Sequence, residues 1–480
     1  MGDNPNKQFE IDKIFSAEHF RKVGHDMVDM IADHLDRVHN DPNYQTIPHV
    51  DPAEQLKYWQ EDFEKVEPIQ DTFQHIFDRS IKLHNPRYIG HQVATIAPIT
   101  SVAGMMVDIL NNGTGVYEMG MAANAIEHVL INFMNQQIGY PSEAGGIFTS
   151  GGTLANLTAL LTARKVKAPN NVWTEGSSDK LALMVSEASH YCIDRAARIM
   201  GLGDQGIIKV PTDDQYRMRT DMLPDLYAKA KADGLTVFAI VGCSCTTSTG
   251  SFDDLEAIGA FAQKENIWFH VDGAHGGGIA MSNKYKHYIK GLEQSDSITI
   301  DYHKMMLTPS LVTSVLYKKA LDSYKTFAQK AEYLWESSNS NEWYNSGKRT
   351  FECTKNMMCV QVYSILKAHG KETFIRNNEH LFDAARLLAK LIKERNNFEL
   401  LIEPQANIVN FRYTHSNIQD LNEYTDKIRT QLIKEGLFYI VSVMVDGQKY
   451  LRCSVMNPIT EEKHFLGLLD SLERIGKELI

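Results

Sequence analysis

No apolar run in the 480-residue sequence approaches the ~18–20 residues of a membrane span. The opening Met-Gly-Asp-Asn-Pro-Asn-Lys-Gln lacks the apolar stretch of a signal peptide, and Gly2 makes no convincing lipidation site. Basic blocks are also missing. Lys and Arg total 49 against 60 Asp and Glu, a formal charge of −11 with no cationic cluster. This argues against nucleic acid and anionic membranes as partners, since both require a basic face. Cysteine is scarce, six in all, and no Cys-x-x-Cys pair occurs; Cys243 and Cys245 are one residue apart. Neither a disulfide framework nor a metal site follows, and a reducing cytoplasm is expected. The glycine-containing stretch 146–164 carries neither Gly-x-Gly-x-x-Gly nor Gly-Lys-Ser/Thr, so it is not the dinucleotide or P-loop pattern. What remains is 43% hydrophobic and 23% charged, a globular composition long enough for roughly three domain-sized units. Small-molecule chemistry is the expectation.

Two stretches stand out. Trp268-Phe-His-Val-Asp-Gly-Ala-His-Gly-Gly277 and Ser297-Ile-Thr-Ile-Asp-Tyr-His-Lys-Met-Met306 each begin β-branched or aromatic and end abruptly in polar residues. A buried parallel strand delivers side chains to a site at its carboxyl end in this way. The residues delivered are Asp272 and the pair His303-Lys304. A lysine leaving an apolar strand can act as an amine nucleophile toward an aldehyde, and an aspartate on the next strand can hold a pyridine nitrogen protonated. That pairing is the one on which pyridoxal 5'-phosphate chemistry depends.

Upstream, Gly146-Ile-Phe-Thr-Ser-Gly-Gly-Thr-Leu-Ala-Asn-Leu-Thr-Ala-Leu-Leu-Thr-Ala-Arg164 places a glycine pair and Thr153 at the mouth of an Ala/Leu-rich helix. Close-approaching backbone N–H groups and a positive dipole end make an anion cradle; a glycine turn capped by Thr153 fits the same letters. Leu181-Ala-Leu-Met-Val-Ser-Glu-Ala-Ser-His190 reads as an apolar strand with a polar end, followed by a helix from about Ile193 to Met200. Phe238-Ala-Ile-Val-Gly reads as another buried strand, leading into Cys243-Ser-Cys-Thr246. Alternating strands and helices through residue 310 predict a mostly parallel sheet with right-handed crossovers and its ligand at the carboxyl edge. After Pro309 the pattern reads as helical. Apolar spacing over 13–38 (Phe20, Val23, Met27, Met30, Ile31, Leu35) predicts an amphipathic helix capped by Ser16, whose apolar face needs a cover. Pro48, Pro52 and Pro68 then punctuate a linker with short helices.

His-Val-Asp-Gly-Ala-His-Gly-Gly followed by Asp-Tyr-His-Lys-Met-Met resembles the group II pyridoxal-phosphate amino-acid decarboxylases, which include the glutamate, aromatic amino-acid and diaminobutyrate enzymes. The resemblance runs from about residue 84 to residue 458. It implies an α/β fold of the fold-type I class: an N-terminal helical dimerisation segment (1–80), a large cofactor-binding domain around a seven-stranded-type sheet (81–350) and a small C-terminal α+β domain (351–480). It also implies a homodimer acting on an L-amino acid, releasing carbon dioxide and the corresponding amine through a Lys304 Schiff base. By the same resemblance, Gly152 and Thr153 hold the phosphate with His303, His190 stacks on the pyridine ring, Thr246 and Ala274 face the cofactor, and Asp272 pairs with the ring nitrogen. Arg452, in Tyr450-Leu-Arg-Cys-Ser-Val-Met-Asn-Pro458, takes the substrate carboxylate; the strand alone fits an ordinary solvated arginine equally well. Tyr333 corresponds to the lid tyrosine that returns a proton, with Tyr344 as runner-up and His190 as another donor.

Departures from the family pattern are specific. Gly273 and His275 stand where Ala and an aromatic residue are usual, Asp301 replaces the commoner Asn, and Lys355 falls in a segment usually reading Gly-Arg-Arg. His91 and Gly113 occupy the positions that glutamate decarboxylases direct at the substrate side chain, which points away from glutamate. Rival readings are another pyridoxal-phosphate carbon–carbon lyase, an aldehyde-forming oxidative deaminase, or a non-catalytic cofactor-binding protein. Retention of Lys304, Asp272 and His190 together argues against the last.

Overall fold

The computed structural model describes residues 14–327 and 342–480. Seven short apolar segments form the central sheet: β1 (Gly145–Thr149), β2 (Leu181–Ser186), β3 (Ile207–Val210), β4 (Thr236–Cys243), β5 (Trp268–Asp272), β6 (Ser297–Asp301) and β7 (Thr313–Tyr317). Their spatial order is β1-β7-β6-β5-β4-β2-β3. The run from β3 to β6 is parallel, as the alternation of strands and helices predicts. Only β7 runs against its neighbours, β1 and β6.

β7 corrects the expectation of helix directly after Pro309. Thr313-Ser-Val-Leu-Tyr317 is buried along its whole length, and β-branched and aromatic residues covered on both faces suit a central strand. The helix begins only at Ala320–Thr326.

Side chains alternate between two apolar layers, as the strand period of two requires. On β2, Leu183 and Val185 join Leu160, Ile193 and Ala197 from the helices Gly152–Lys167 and Tyr191–Ile199. Ala182 and Met184 face the opposite layer, which contains Leu255 and Ile258 of the Leu255–Glu265 helix. Helices on both faces leave the carboxyl ends of the parallel strands as the place for a ligand.

β1 lies at one edge of the sheet, where unpaired backbone groups invite further pairing. A buried ion pair occupies them. The Phe148 N–H donates to Glu127 Oε1 (3.0 Å), the Phe148 carbonyl accepts from Lys355 Nζ (2.7 Å), and Lys355 and Glu127 meet at 2.7 Å with the lysine side chain 1% exposed. Arg349 Nη1 donates to the Gly146 carbonyl (3.2 Å).

Beyond the large sheet, β8 (Phe398–Leu400), β9 (Ile408–Tyr413), β10 (Val441–Val445) and β11 (Gln448–Ser454) form an antiparallel sheet in the order β10-β11-β9-β8. Helices Glu372–Lys393, Leu421–Glu435 and Glu462–Glu478 pack on it. Its apolar core is continuous with one layer of the large sheet. The Ile89 N–H donates to the Tyr439 carbonyl (2.9 Å), and the Ser454 N–H donates to the Ile89 carbonyl (2.9 Å), so residues around 89 are stitched to the second sheet. Helix Cys359–His369 packs instead against Ile99–Leu110 and Ala122–Ile138.

The amphipathic N-terminal helix spans Ala17–Asn40, and Ser16 Oγ accepts the His19 N–H at 3.1 Å, the expected cap. Pro52 opens the next helix, Pro52–Phe63, behind an Asp51 cap. Of the first helix only His34 and Val38 are buried, while Phe20 is 57% exposed. Among the described residues no helix is long and apolar enough to cross a membrane.

Candidate active site

The carboxyl ends of the parallel strands open onto one cavity of about 280 Å³. Its wall includes Gly152, Thr153, His190, Thr246, Asp272, Ala274, His303 and Lys304, so the expected cofactor residues are brought together from five separate segments.

Lys304 follows β6 and sits opposite two carboxylates. Its Nζ lies 3.1 Å from Asp301 Oδ2. Burial pulls the Lys304 ammonium down, but Asp301 and then Asp272 more than reverse this and hold it above its ordinary value. Asp272 ends β5, is buried, and accepts the Ala274 N–H at 3.2 Å.

His190 caps the Tyr191–Ile199 helix. Its Nδ1 accepts the Cys192 N–H at 3.3 Å, which places the proton of the neutral ring on Nε2. Burial lowers its pKa, Asp272 opposes that, and Lys304 adds to it. His303 Nδ1 lies against the Val312 backbone, 3.0 Å from its carbonyl oxygen and 3.2 Å from its N–H nitrogen, and its Nε2 stands 3.6 Å from Asp301 Oδ2. The Thr246 hydroxyl belongs to a string of hydroxyls: it meets Thr249 Oγ1 at 2.8 Å, which meets Ser251 Oγ at 2.9 Å, and it accepts the Ser251 N–H at 3.1 Å.

The anion cradle is the first turn of the Gly152–Lys167 helix. Gly151, at φ 104°, turns the chain from β1 into this helix, and among the described residues no side chain caps it; its first N–H groups therefore remain available to an anion. A Cβ on Gly152 would stand 3.1 Å from each carboxylate oxygen of Asp301 and 3.4 Å from Ala274 Cβ. Only glycine leaves this approach open. An uncapped helix start, an amine beside it and a buried carboxylate on the neighbouring strand fit the phosphate, aldehyde and ring nitrogen of pyridoxal phosphate in turn.

Other expected residues lie elsewhere. Arg452 is one step behind the wall: its Nη1 donates to the Thr247 carbonyl (2.9 Å), Thr247 lines the cavity, and the buried Arg452 Nε has no hydrogen-bond partner among the described residues. His91 is exposed, its ring 5.9 Å from that of Tyr439, and does not contribute to the cavity wall. Tyr333 lies outside the described residues. The Tyr344 ring packs edge-on against Tyr117 at 5.6 Å, and its carbonyl accepts from Asn124.

The sequence reading passed over several wall residues. Asn156 Oδ1 accepts from His270 Nε2 at 2.8 Å, which leaves His270 Nδ1 of the neutral ring to accept from Ser297 Oγ at 2.9 Å, a line running inward. Its position one helical turn after Gly152 was the available signal. His275 also lines the cavity. Burial and then Lys304 push its pKa down to about 3, and its Nε2 is 2.6 Å from Asn407 Oδ1.

Residues 52–414 match the pyridoxal-dependent decarboxylase conserved domain. Over 97% of both chains the protein is 25% identical to an aromatic-L-amino-acid decarboxylase of Bacillus atrophaeus. It is 30% identical to an aspartate 1-decarboxylase of Aliivibrio fischeri, over 74% of this chain and 68% of that one. Among solved structures, the glutamate decarboxylase domain of diaminobutyrate-pyruvate transaminase and L-2,4-diaminobutyrate decarboxylase from Vibrio parahaemolyticus superposes with a TM-score of 0.79 at 26% identity, covering 94% of this chain and 96% of that one. Domain match, fold and cavity agree, and the chain belongs to the pyridoxal-dependent decarboxylase family as a fold-type I, pyridoxal-phosphate-dependent carboxy-lyase.

Proposed function

We propose that the chain releases the carboxyl group of an L-amino acid as carbon dioxide, with Lys304 as the covalent anchor of the cofactor. The observation that carries this reading is the meeting of Lys304, Asp272, His190 and the uncapped Gly152–Lys167 helix in one cavity. When bound, pyridoxal phosphate supplies an electron sink for the pair left behind by carbon dioxide. Asp272 keeps a proton on the ring nitrogen, so that the sink stays electron-poor. His190, neutral and fixed by its cap bond, offers a ring face to the cofactor and an Nε2–H to the substrate side. Backbone N–H groups at Gly152 and Thr153 hold the phosphate with His303, while Thr246 and Ala274 shape the walls. Arg452 serves the substrate carboxylate, His91 the approach to it, and Tyr333 returns a proton to the substrate carbon.

A homodimer belongs to this reading. Helix Ile99–Leu110 exposes Val102, Met105, Met106 and Ile109, and an apolar groove of about 570 Å³ between this region and the first helix contains Val28, Ile31 and Leu35. Apolar surface of this kind is covered by a partner in stable assemblies. The division at residues 80 and 350 is part of the same proposal. Six free cysteines support a reducing, cytoplasmic setting.

The test is carbon dioxide release from the common L-amino acids in the presence of pyridoxal phosphate, beginning with acidic and aromatic substrates, the classes named for the relatives. Borohydride reduction followed by peptide mapping should find the cofactor on Lys304. Peroxide and aldehyde without carbon dioxide, or an adduct on a different lysine, would overturn the reading.

A further inference from the structure

Asp301 is the most heavily engaged acid in the cavity, and the reaction outlined above gives it no task. It ends β6, is 3% exposed, and divides its carboxylate between two partners: Thr313 Oγ1 donates to Oδ1 at 2.6 Å, and Lys304 Nζ lies 3.1 Å from Oδ2. The groups facing it are Lys304 and His303 from the turn it begins, Asp272 from β5, His275 from the turn after β5, and His190 and Cys192 from the helix start after β2. The same carboxylate is a wall of the anion cradle, within 3.1 Å of where a Gly152 Cβ would stand.

This placement raises two difficulties together. An amine paired with a buried carboxylate keeps its proton, and a protonated amine is no nucleophile. A phosphate dianion entering the cradle meets a like charge in a poorly solvated place, which disfavours leaving both ionised. A single proton transfer removes both. We propose that Asp301 accepts the proton that Lys304 gives up when the cofactor is captured, and remains as a neutral acid beside the phosphate. As the C=N bond forms between Lys304 Nζ and the aldehyde carbon, the aldehyde oxygen leaves as water with two of the three ammonium protons, and the third passes to Asp301 Oδ2. Charge is conserved: the ammonium and the carboxylate disappear together. Asp301 then donates a hydrogen bond to the anion it would otherwise repel. It is a positioning residue acting through Lys304, and the inference rests on Lys304 being the anchor.

Infrared difference spectra between cofactor-free and cofactor-loaded protein read the proton directly. Loading the wild-type protein with pyridoxal phosphate should produce a carboxylic-acid carbonyl band that is lost in Asp301→Asn. In the wild type this band should titrate away as pH rises, while cofactor affinity should not fall with pH across the range in which the band is present, because the proton has only moved from Lys304 to Asp301 and is held by both the free and the loaded protein. Thr313→Val, which deletes the donor stabilising the ionised form, should move the band's titration to higher pH. Absence of the band in fully loaded wild type, its persistence in Asp301→Asn, or no movement in Thr313→Val would overturn the inference. Borohydride mapping on the same samples separates the two readings. An adduct away from Lys304 sinks the anchor; an adduct on Lys304 with no band sinks only the role of Asp301.

Discussion

Lys355→Met tests how far the edge of the large sheet depends on its ion pair. The substitution keeps the length of the side chain but leaves Glu127 buried without its counter-charge, a change that costs about 3–5 kcal/mol. It also bares the Phe148 carbonyl, which now accepts from Lys355 at 2.7 Å, at a further cost of about 1–3 kcal/mol. The loss is comparable with much of the roughly 5–15 kcal/mol that holds a domain folded. Replacing both partners, Lys355→Met with Glu127→Leu, removes the stranded charge and leaves two bare backbone groups, so the double variant should recover about 2 kcal/mol or more relative to Lys355→Met. Urea unfolding of all four members of the cycle measures this. Because Phe148 stands two residues before Ser150, which lines the cavity at the strand ends, where the proposed function seats the cofactor, the single variant should also bind pyridoxal phosphate more weakly. A Lys355→Met protein within about 1 kcal/mol of wild type, or a double variant that merely adds the two single losses, would refute a coupled, buried pair.

Asp272→Asn should lower carbon dioxide release at least a hundredfold, the scale of about 3 kcal/mol or more lost with a buried charge pair, and saturating cofactor should not restore it; full rescue would make Asp272 a binding residue only. Burial pushes His270 down to about 4 and His275 down to about 3. The unfolded chain therefore binds protons that the native state refuses once pH drops below about 6.5, and the stability present above that pH should fall by up to about 1.4 kcal/mol per unit for each group. Unfolding midpoints measured from pH 7 downward check this, and a flat profile contradicts it. Tyr333→Phe should slow amine formation by about 10²–10⁴-fold while cofactor binding persists, whereas Tyr344→Phe, whose ring packs on Tyr117, should leave amine formation unchanged; the opposite pattern transfers the proton to Tyr344.

What could be read from the letters alone follows from range. Asp272, His303 and Lys304 were legible because apolar runs that stop in polar residues announce buried strands and their ends. The cradle was legible because glycine beside a helix start is a local signal. β3, the short edge strand Ile207–Val210, has a partly exposed pattern and gave no comparable signal. β7 was misread because a short apolar run after a proline does not by itself distinguish strand from helix; its pairing with β1 and β6 decides the matter. Glu127 and Lys355, far apart in sequence, meet only in the fold. The Arg452 contact with Thr247 and the position of His91 away from the cavity are likewise products of tertiary packing.

The reversed strand has a consequence for the order of assembly. β2 through β6 can pair as they leave the ribosome, each with a strand made shortly before or after it. β1 cannot. Among the described residues its sheet partner is β7 alone, with Gly145 opposite Tyr317, so the strand that leads into the glycine cradle must wait until nearly all of the large sheet has been synthesised. Contacts this distant in sequence close slowly, and until then the glycine cradle has no fixed position relative to Lys304. In the proposed function cofactor capture is thereby deferred to the end of large-sheet formation, and a nascent chain stopped before β7 would carry the Lys304 amine without a fixed glycine cradle opposite it.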